Sequence, residues 1–150
     1  MSLKAKLRED LTESIRSKNE LRSSTLRMIL TAITNEEVSG KEARVLTDAE
    51  VITVLTREAK KRREAAEAFE QGGAPDRAQR EIAEGVVIAK YLPAPLSQDD
   101  LNSLISEAIA ATGAQGPSAM GVVMKYLQPK VAGRADGATV SSAVKTALAK

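Results

Sequence analysis

The sequence contains no cysteine, no histidine and no tryptophan. Without imidazole there is no Ser-His-Asp triad and no histidine acid–base pair. Without histidine or cysteine there is no ordinary zinc site, iron–sulfur cluster or thiol nucleophile. The missing cysteines also exclude a disulfide framework, which is consistent with a reducing compartment. Aromatic residues are nearly absent. Phe69, Tyr91 and Tyr126 are the whole set, too few for the stacking platform of a single-strand nucleic-acid binder. No apolar run approaches the roughly 20 residues of a membrane span. The N-terminal stretch MSLKAKLRED becomes charged at once, unlike a signal peptide. The expectation is a cytoplasmic protein with no membrane partner, no metal and no cofactor.

What is present is a chain of 150 residues, the size of one domain or two very small ones. Glycine and proline punctuate it. They are nearly absent up to residue 71, then recur at Gly72-Gly73-Ala74-Pro75, Pro93-Ala94-Pro95, Gly113, Gly116-Pro117, Pro129, Gly133 and Gly137. The intervals carry apolar periods near 3.6, so helices are predicted throughout.

A first helix is predicted from about Leu3 to Arg16, with Ser2 as N-cap and Leu3, Leu7, Leu11 and Ile15 as its stripe. A second spans about Glu20 to Val38. It is apolar on two sides, Leu26, Ile29, Leu30 and Ile33 against Leu21, Met28 and Ala32, and is therefore the most central. A third starts at the capping box Thr47-Asp48-Ala49-Glu50 and runs to about Gln71. A fourth covers about Asp76 to Lys90, where Val86-Val87-Ile88-Ala89 suggests burial on more than one face. Tyr91-Leu92-Pro93-Ala94-Pro95 then stops the helix.

A fifth helix follows Ser97-Gln98-Asp99-Asp100, which reads as a second capping box, and closes at Gly113. It carries Leu101, Leu104, Ile105, Ala108 and Ile109. A sixth begins near Pro117 with Met120, Val123, Met124 and Leu127. A seventh follows Gly137 with Val140, Val144 and Leu148. The fold class is all-α: a four-helix bundle-like lobe over residues 1–92, a proline-rich junction at 93–95, and a smaller three-helix lobe over 96–150. The smaller lobe is marginal in size on its own. It is expected to depend on the larger one, with Val86 to Ala89 as the contact surface.

The net charge of +2 hides an asymmetry. Residues 93–119 hold Asp99, Asp100 and Glu107 and no basic residue. Residues 120–150 hold Lys125, Lys130, Arg134, Lys145 and Lys150 against Asp136 alone. That end suits a phosphate backbone, or it is a solubilising terminus. A second basic run, Arg57, Lys60, Lys61, Arg62 and Arg63, is interleaved with Glu58, Glu64, Glu67 and Glu70. The i,i+4 spacing pairs Lys60 with Glu64 and Arg63 with Glu67 on a solvated face. Arg62 instead falls within the stripe of Ile52, Leu55, Ala59, Ala66 and Phe69. A charge there needs a partner, and Glu81 and Glu84 on the fourth helix are the first candidates for a structural ion pair.

No GxxxxGK[ST] or GxGxxG loop is present. Gly133-Arg134-Ala135-Asp136-Gly137 is the one compact polar segment bracketed by glycine. It permits φ > 0 on both sides, exposed N–H groups for a phosphate and a bidentate arginine. It also fits a helix–helix turn capped by Asp136. Glu81 and Glu84 share a helix face, but a carboxylate-bundle metal site wants Glu-x-x-His. Ser23-Ser24-Thr25 has no evident base to activate a hydroxyl.

Several strings occur together in order. They are Ser24-Thr25-Leu26-Arg27-Met28, Leu46-Thr47-Asp48-Ala49-Glu50-Val51-Ile52, Lys60-Lys61-Arg62-Arg63-Glu64, and Glu81-x-x-Glu84 followed by Tyr91-Leu92-Pro93. Met120-Gly121-Val122-Val123-Met124-Lys125, the Gly133–Gly137 segment and Val144-Lys145 complete the set. It resembles the YqeY family of GatB/YqeY-domain proteins over essentially the whole chain. The sequence departs from the family's pattern at Arg77, where an aliphatic residue is usual. Gly85 also stands inside the fourth helix.

The resemblance implies an all-helical protein in two lobes. It is similar to the C-terminal tail of the B subunit of tRNA-dependent amidotransferases, where the tail helps hold tRNA and catalysis lies in other domains and subunits. Family labels carry a carbon–nitrogen ligase activity with glutamine as amido-nitrogen donor, but no catalytic constellation is present in this chain. By motif position and charge, Lys125, Lys130, Arg134 and Lys145 become the candidate tRNA contacts. An adaptor that docks an amidotransferase or an aminoacyl-tRNA synthetase through the third helix or Val86–Leu92 is the alternative. An enzyme working through carboxylates and lysines is the remaining one.

Overall fold

The computed structural model describes residues 1–149. Among them there are seven α-helices and no strand: α1 Leu3–Arg16, α2 Glu20–Glu37, α3 Asp48–Gln71, α4 Pro75–Ala89, α5 Gln98–Thr112, α6 Met120–Val131 and α7 Gly137–Leu148. A 3-10 turn, Pro117–Ala119, leads into α6. The chain forms two compact units, Met1–Leu92 and a second that begins at Pro93.

Local chemistry sets most helix starts. The Ser2 hydroxyl accepts from Ala5 N, and the Asn19 side chain from Arg22 N. Thr47 and Glu50 close a reciprocal capping box. Ser97 accepts from Asp100 N, but Asp100, one methylene shorter than Glu, makes no return bond. α4 has no side-chain cap and begins with Pro75, whose fixed φ suits a first turn. Gly113 ends α5 in the left-handed region, φ 65°.

The first unit is built around α2, which packs on α1, α3 and α4. Leu26, Ile29 and Ile33 are fully buried against Leu7, Val51, Leu55 and Ile88. Burying each such Leu or Ile contributes roughly 1.5–3 kcal/mol. Two expectations need correction. Ile15, the last residue of the α1 stripe, is 48% exposed. It lines an open depression of about 300 Å³ with Lys18, Glu20, Ser23 and Arg27. The Val86–Ala89 run is buried on one face only. Val87 and Ile88 enter the unit's own core, while Val86 and Ala89 are exposed, because α4 packs inward on α3 and α2.

The second unit gives one apolar triplet per helix. Leu101, Ile105 and Ala108 of α5 meet Val123, Leu127 and Val131 of α6 and Val140, Val144 and Leu148 of α7. Each triplet recurs at helical spacing, so three short helices enclose one core. Pro129 does not stop α6, which continues to Val131. It falls on the exposed side within the last turn, where a missing hydrogen bond costs least.

Candidate nucleic-acid interface

All four candidate cations lie in the second unit, in different states. Lys125 projects from α6 opposite the core positions Val123 and Leu127 and is exposed. Lys145 is exposed on α7. Neither has an ion-pair partner among the described residues. Lys130 is engaged: its Nζ lies 2.8 Å from Glu107 Oε1 on α5 and 4.6 Å from the centre of the Tyr126 ring. Tyr126 Oη donates to the same carboxylate oxygen at 3.2 Å. The hydrogen bond from Lys130, with that from Tyr126, holds the Glu107 carboxyl below its ordinary pKa, and the same bond raises that of Lys130.

Arg134 is also engaged. Its Nε donates to the Ala94 carbonyl at 3.0 Å, and its own carbonyl accepts from Leu96 N at 2.9 Å. The turn thus fastens Ala94 of the proline-rich junction, and Leu96 just after it, to the end of α6. Three expectations for this segment are corrected. Only Gly133 takes a positive φ, 72°, while Gly137 opens α7 with ordinary backbone. The N–H groups of Arg134 and Ala135 point at the Val131 carbonyl, at 2.9 and 3.2 Å, and so complete the helix end instead of facing outward. Asp136 stands at the N-cap of α7 but its side chain makes no capping bond. No Asp or Glu occurs in the sequence from Ala108 to Ala135, while Glu107 and Asp136 bound that stretch and Glu107 meets Lys130.

The other predicted constellation lies in the first unit, between α3 and α4. Arg62 is buried. Its Nε lies 3.2 Å from Glu84 Oε2 and 3.8 Å from Glu81 Oε2, at angles that leave the Nε–H without a hydrogen bond. Nη1 lies 3.3 Å from Glu58 Oε2, and the guanidinium also abuts the Met28 sulfur. Glu58 was expected on the solvated face but is buried. The signal was available, since i,i+4 spacing sets Glu58 only about 40° from Arg62 around the helix. The expected Lys60–Glu64 and Arg63–Glu67 pairs are not formed among the described residues. Lys61 instead pairs with Glu58 at 3.1 Å and Arg57 with Glu36 at 3.1 Å. Exposed pairs are weak enough for water to replace them.

Other polar groups bind the structure together. Ser23 donates to the Asn19 carbonyl at 2.8 Å and shares a bond with Ser14, while Ser24 and Thr25 bond back to the Leu21 carbonyl. No group of three or more candidate metal-binding side chains gathers among the described residues. Besides Glu58, sequence reading missed two buried carboxylates. Asp10 accepts from Tyr91 Oη at 2.5 Å and from Lys6 at 2.8 Å, with Arg22 at 3.6 Å. Burial pushes its pKa up, but the bonds from Lys6 and Tyr91 outweigh this and leave it lowered. Glu37 takes Lys4 and the Leu46 N–H, which lower its pKa. Their partners lie in distant segments, so no local pattern marks them.

No helix of the described residues is long and apolar enough to cross a membrane. Among curated proteins, one match is Altered inheritance of mitochondria protein 41, mitochondrial, of Clavispora lusitaniae. It is 32% identical over 100 residues, 66% of this chain and 57% of that protein. The alignment therefore spans little more than half of that relative. An uncharacterized protein of Schizosaccharomyces pombe is 33% identical over 92 residues, 61% of this chain and 73% of its own. The sequence profile of the Yqey-like protein family matches residues 4–148. With the match running through all seven helices and both units, this chain belongs to the Yqey-like protein family.

Proposed function

We propose that this chain is a non-catalytic RNA-binding accessory, that tRNA is its partner, and that it is related to the glutamine-dependent tRNA amidotransferases. The observation that carries the reading is the acid-free stretch from Ala108 to Ala135 with the exposed Lys125 inside it, together with the exposed Lys145 on α7, neither lysine having an ion-pair partner among the described residues. Such a surface binds phosphate and shape, not base sequence. The two engaged cations, Lys130 and Arg134, join only if RNA displaces Glu107 or uses the remaining arginine nitrogens. Two to four phosphate contacts give a log–log salt slope of about −2 to −4. The chain is proposed to act in the cytoplasm. The name of the Clavispora relative carries the mitochondrion, a compartment with tRNA of its own.

Fluorescence anisotropy with labelled total tRNA across a salt series tests the reading. Binding is expected to weaken steadily with salt. Lys125→Glu combined with Lys145→Glu is expected to weaken it by at least about tenfold at low salt. Binding that ignores salt, or none at about 50 mM salt, overturns the reading. The amidation assay with Glu-tRNA, glutamine and ATP is expected to read zero for the isolated chain.

A second reading, an adaptor for an amidotransferase or synthetase, is favoured by α4. Its outer face exposes Ile82 (45%) and Val86 (55%) one turn apart. Co-purification of such an enzyme after nuclease treatment, lost in Ile82→Glu/Val86→Glu, would establish this reading in place of the first.

A further inference from the structure

We infer that the outward face of α4 is a self-association surface, on which a second copy of this chain lies antiparallel to the first. The inference is independent of the RNA reading, and it gives to a second copy the face that the adaptor reading gives to an enzyme. The starting point is a second periodicity on α4. Ala78, Val87 and Ile88 turn into the interior of the unit. On the other side Gln79, Ile82, Val86 and Ala89 are all exposed and follow one another at spacings of three, four and three. That is the seam of a helix that packs along another helix. Asp76, Ala83 and Lys90, seven residues apart, line one flank of the seam. Arg77, Arg80, Glu81 and Glu84 lie elsewhere on the circumference. Asp76 and Lys90 are therefore the two charges of this face, and both are exposed. The ion pairs of α4 are made by Arg80, Glu81 and Glu84, so neither has an ion-pair partner among the described residues.

The pattern is complementary to itself. In an antiparallel two-fold pair, like flanks of the two seams meet. Setting Ile82 of one copy opposite Val86 of the other places the two-fold axis at position 84. Lys90 then comes within two residues of Asp76 in the other copy, about 3 Å along the axis, a gap its flexible side chain spans. The same contact forms at both ends, and the opposed helix dipoles favour it. A parallel pair would set Asp76 against Asp76 and Lys90 against Lys90. One helix face buries less than about 1,200 Å² in total, so the association is weak, with a Kd of about 100 μM.

Sedimentation equilibrium of the full-length, nuclease-treated chain at about 50 mM salt, from about 10 μM to 1 mM protein, tests the inference. The mass is expected to rise from one copy toward two, and to stay at one copy in Ile82→Glu/Val86→Glu. Asp76→Lys and Lys90→Glu, each alone, bring like charges together at both ends and are expected to weaken association about tenfold. An equal mixture of these two variants is expected to associate within about twofold of the unmodified chain, because each change then faces its complement. That recovery also shows that both variants are folded. A one-copy mass at every concentration overturns the inference. So does association that is undiminished in Ile82→Glu/Val86→Glu or in either single charge variant, or a mixture no stronger than its components. A chain that stays monomeric but captures an amidotransferase or synthetase through Ile82 and Val86 gives the face to the adaptor reading and removes the second copy. Failure of tRNA binding leaves the inference standing.

Discussion

At the scale of single residues, Arg62 is the most constrained side chain in the first unit. It stands among Glu58, Glu81 and Glu84, with Arg80 at 3.3 Å from the other Glu84 oxygen. Removing the guanidinium leaves partly buried carboxylates facing one another. Arg62→Met is therefore expected to cost about 3 kcal/mol in urea unfolding. A neutral result would mean that water already screens the cluster. Gly85 gives the opposite expectation. A methyl group there meets the Arg62 Cβ at 3.9 Å, an ordinary contact. Gly85→Ala should raise unfolding free energy by about 1 kcal/mol through helix propensity. A loss of stability would show that α3 and α4 have no room for it. The need of Arg62 for partners was legible, because periodicity alone puts it in an apolar stripe. That Lys130 and Arg134 would be taken was not. Glu107 lies 23 residues from Lys130, and the Ala94 carbonyl 40 from Arg134.

At the scale of elements, the starts of α1, α2, α3 and α5 were written within a few residues of each cap, so sequence pattern reaches them. The ties between elements lie beyond that reach. Tyr91, just beyond α4, bonds to Asp10 of α1 across 81 residues. Glu37 at the end of α2 joins Lys4 of α1 to the segment before α3. Tyr91→Phe should cost about 1–2 kcal/mol, because one bond to a buried carboxylate is lost while Lys6 and Arg22 remain. Urea unfolding checks it, and a null effect would assign Asp10 wholly to its two cations.

These ties also set a pH profile. The Asp10, Glu37, Glu50 and Glu107 carboxyls all sit below their ordinary values in the fold. As pH falls, the unfolded chain takes up these protons first. The stability they confer is therefore present above about pH 5 and is lost as pH drops through the lowered values. Lys6, Lys130 and Tyr91 are raised, so their contribution is present at neutral pH and lost as strong alkali titrates them. The urea midpoint should be flat near neutrality and fall on the acid side, more shallowly in Glu37→Gln. A midpoint unchanged to about pH 3 would remove these carboxylates from the account.

At the scale of the molecule, the described residues form two hydrophobic cores with no shared residue. The apolar triplets of α5, α6 and α7 made the second core legible, and the two-sided α2 did the same for the first. Leu127 is fully buried at the centre of the second. Leu127→Ala should lower the hydrogen-exchange protection of α5, α6 and α7 by about 2–5 kcal/mol. Unchanged protection would mean that the small bundle collapses to fill the gap. The scarcity of aromatic residues gives the two tyrosines a further property. Each phenol sits in a different unit, Tyr91 bonded to Asp10 and Tyr126 to Glu107. With no tryptophan to dominate emission, the protein carries its own pair of fluorophores, one per core, each held against a quenching carboxylate until its unit opens.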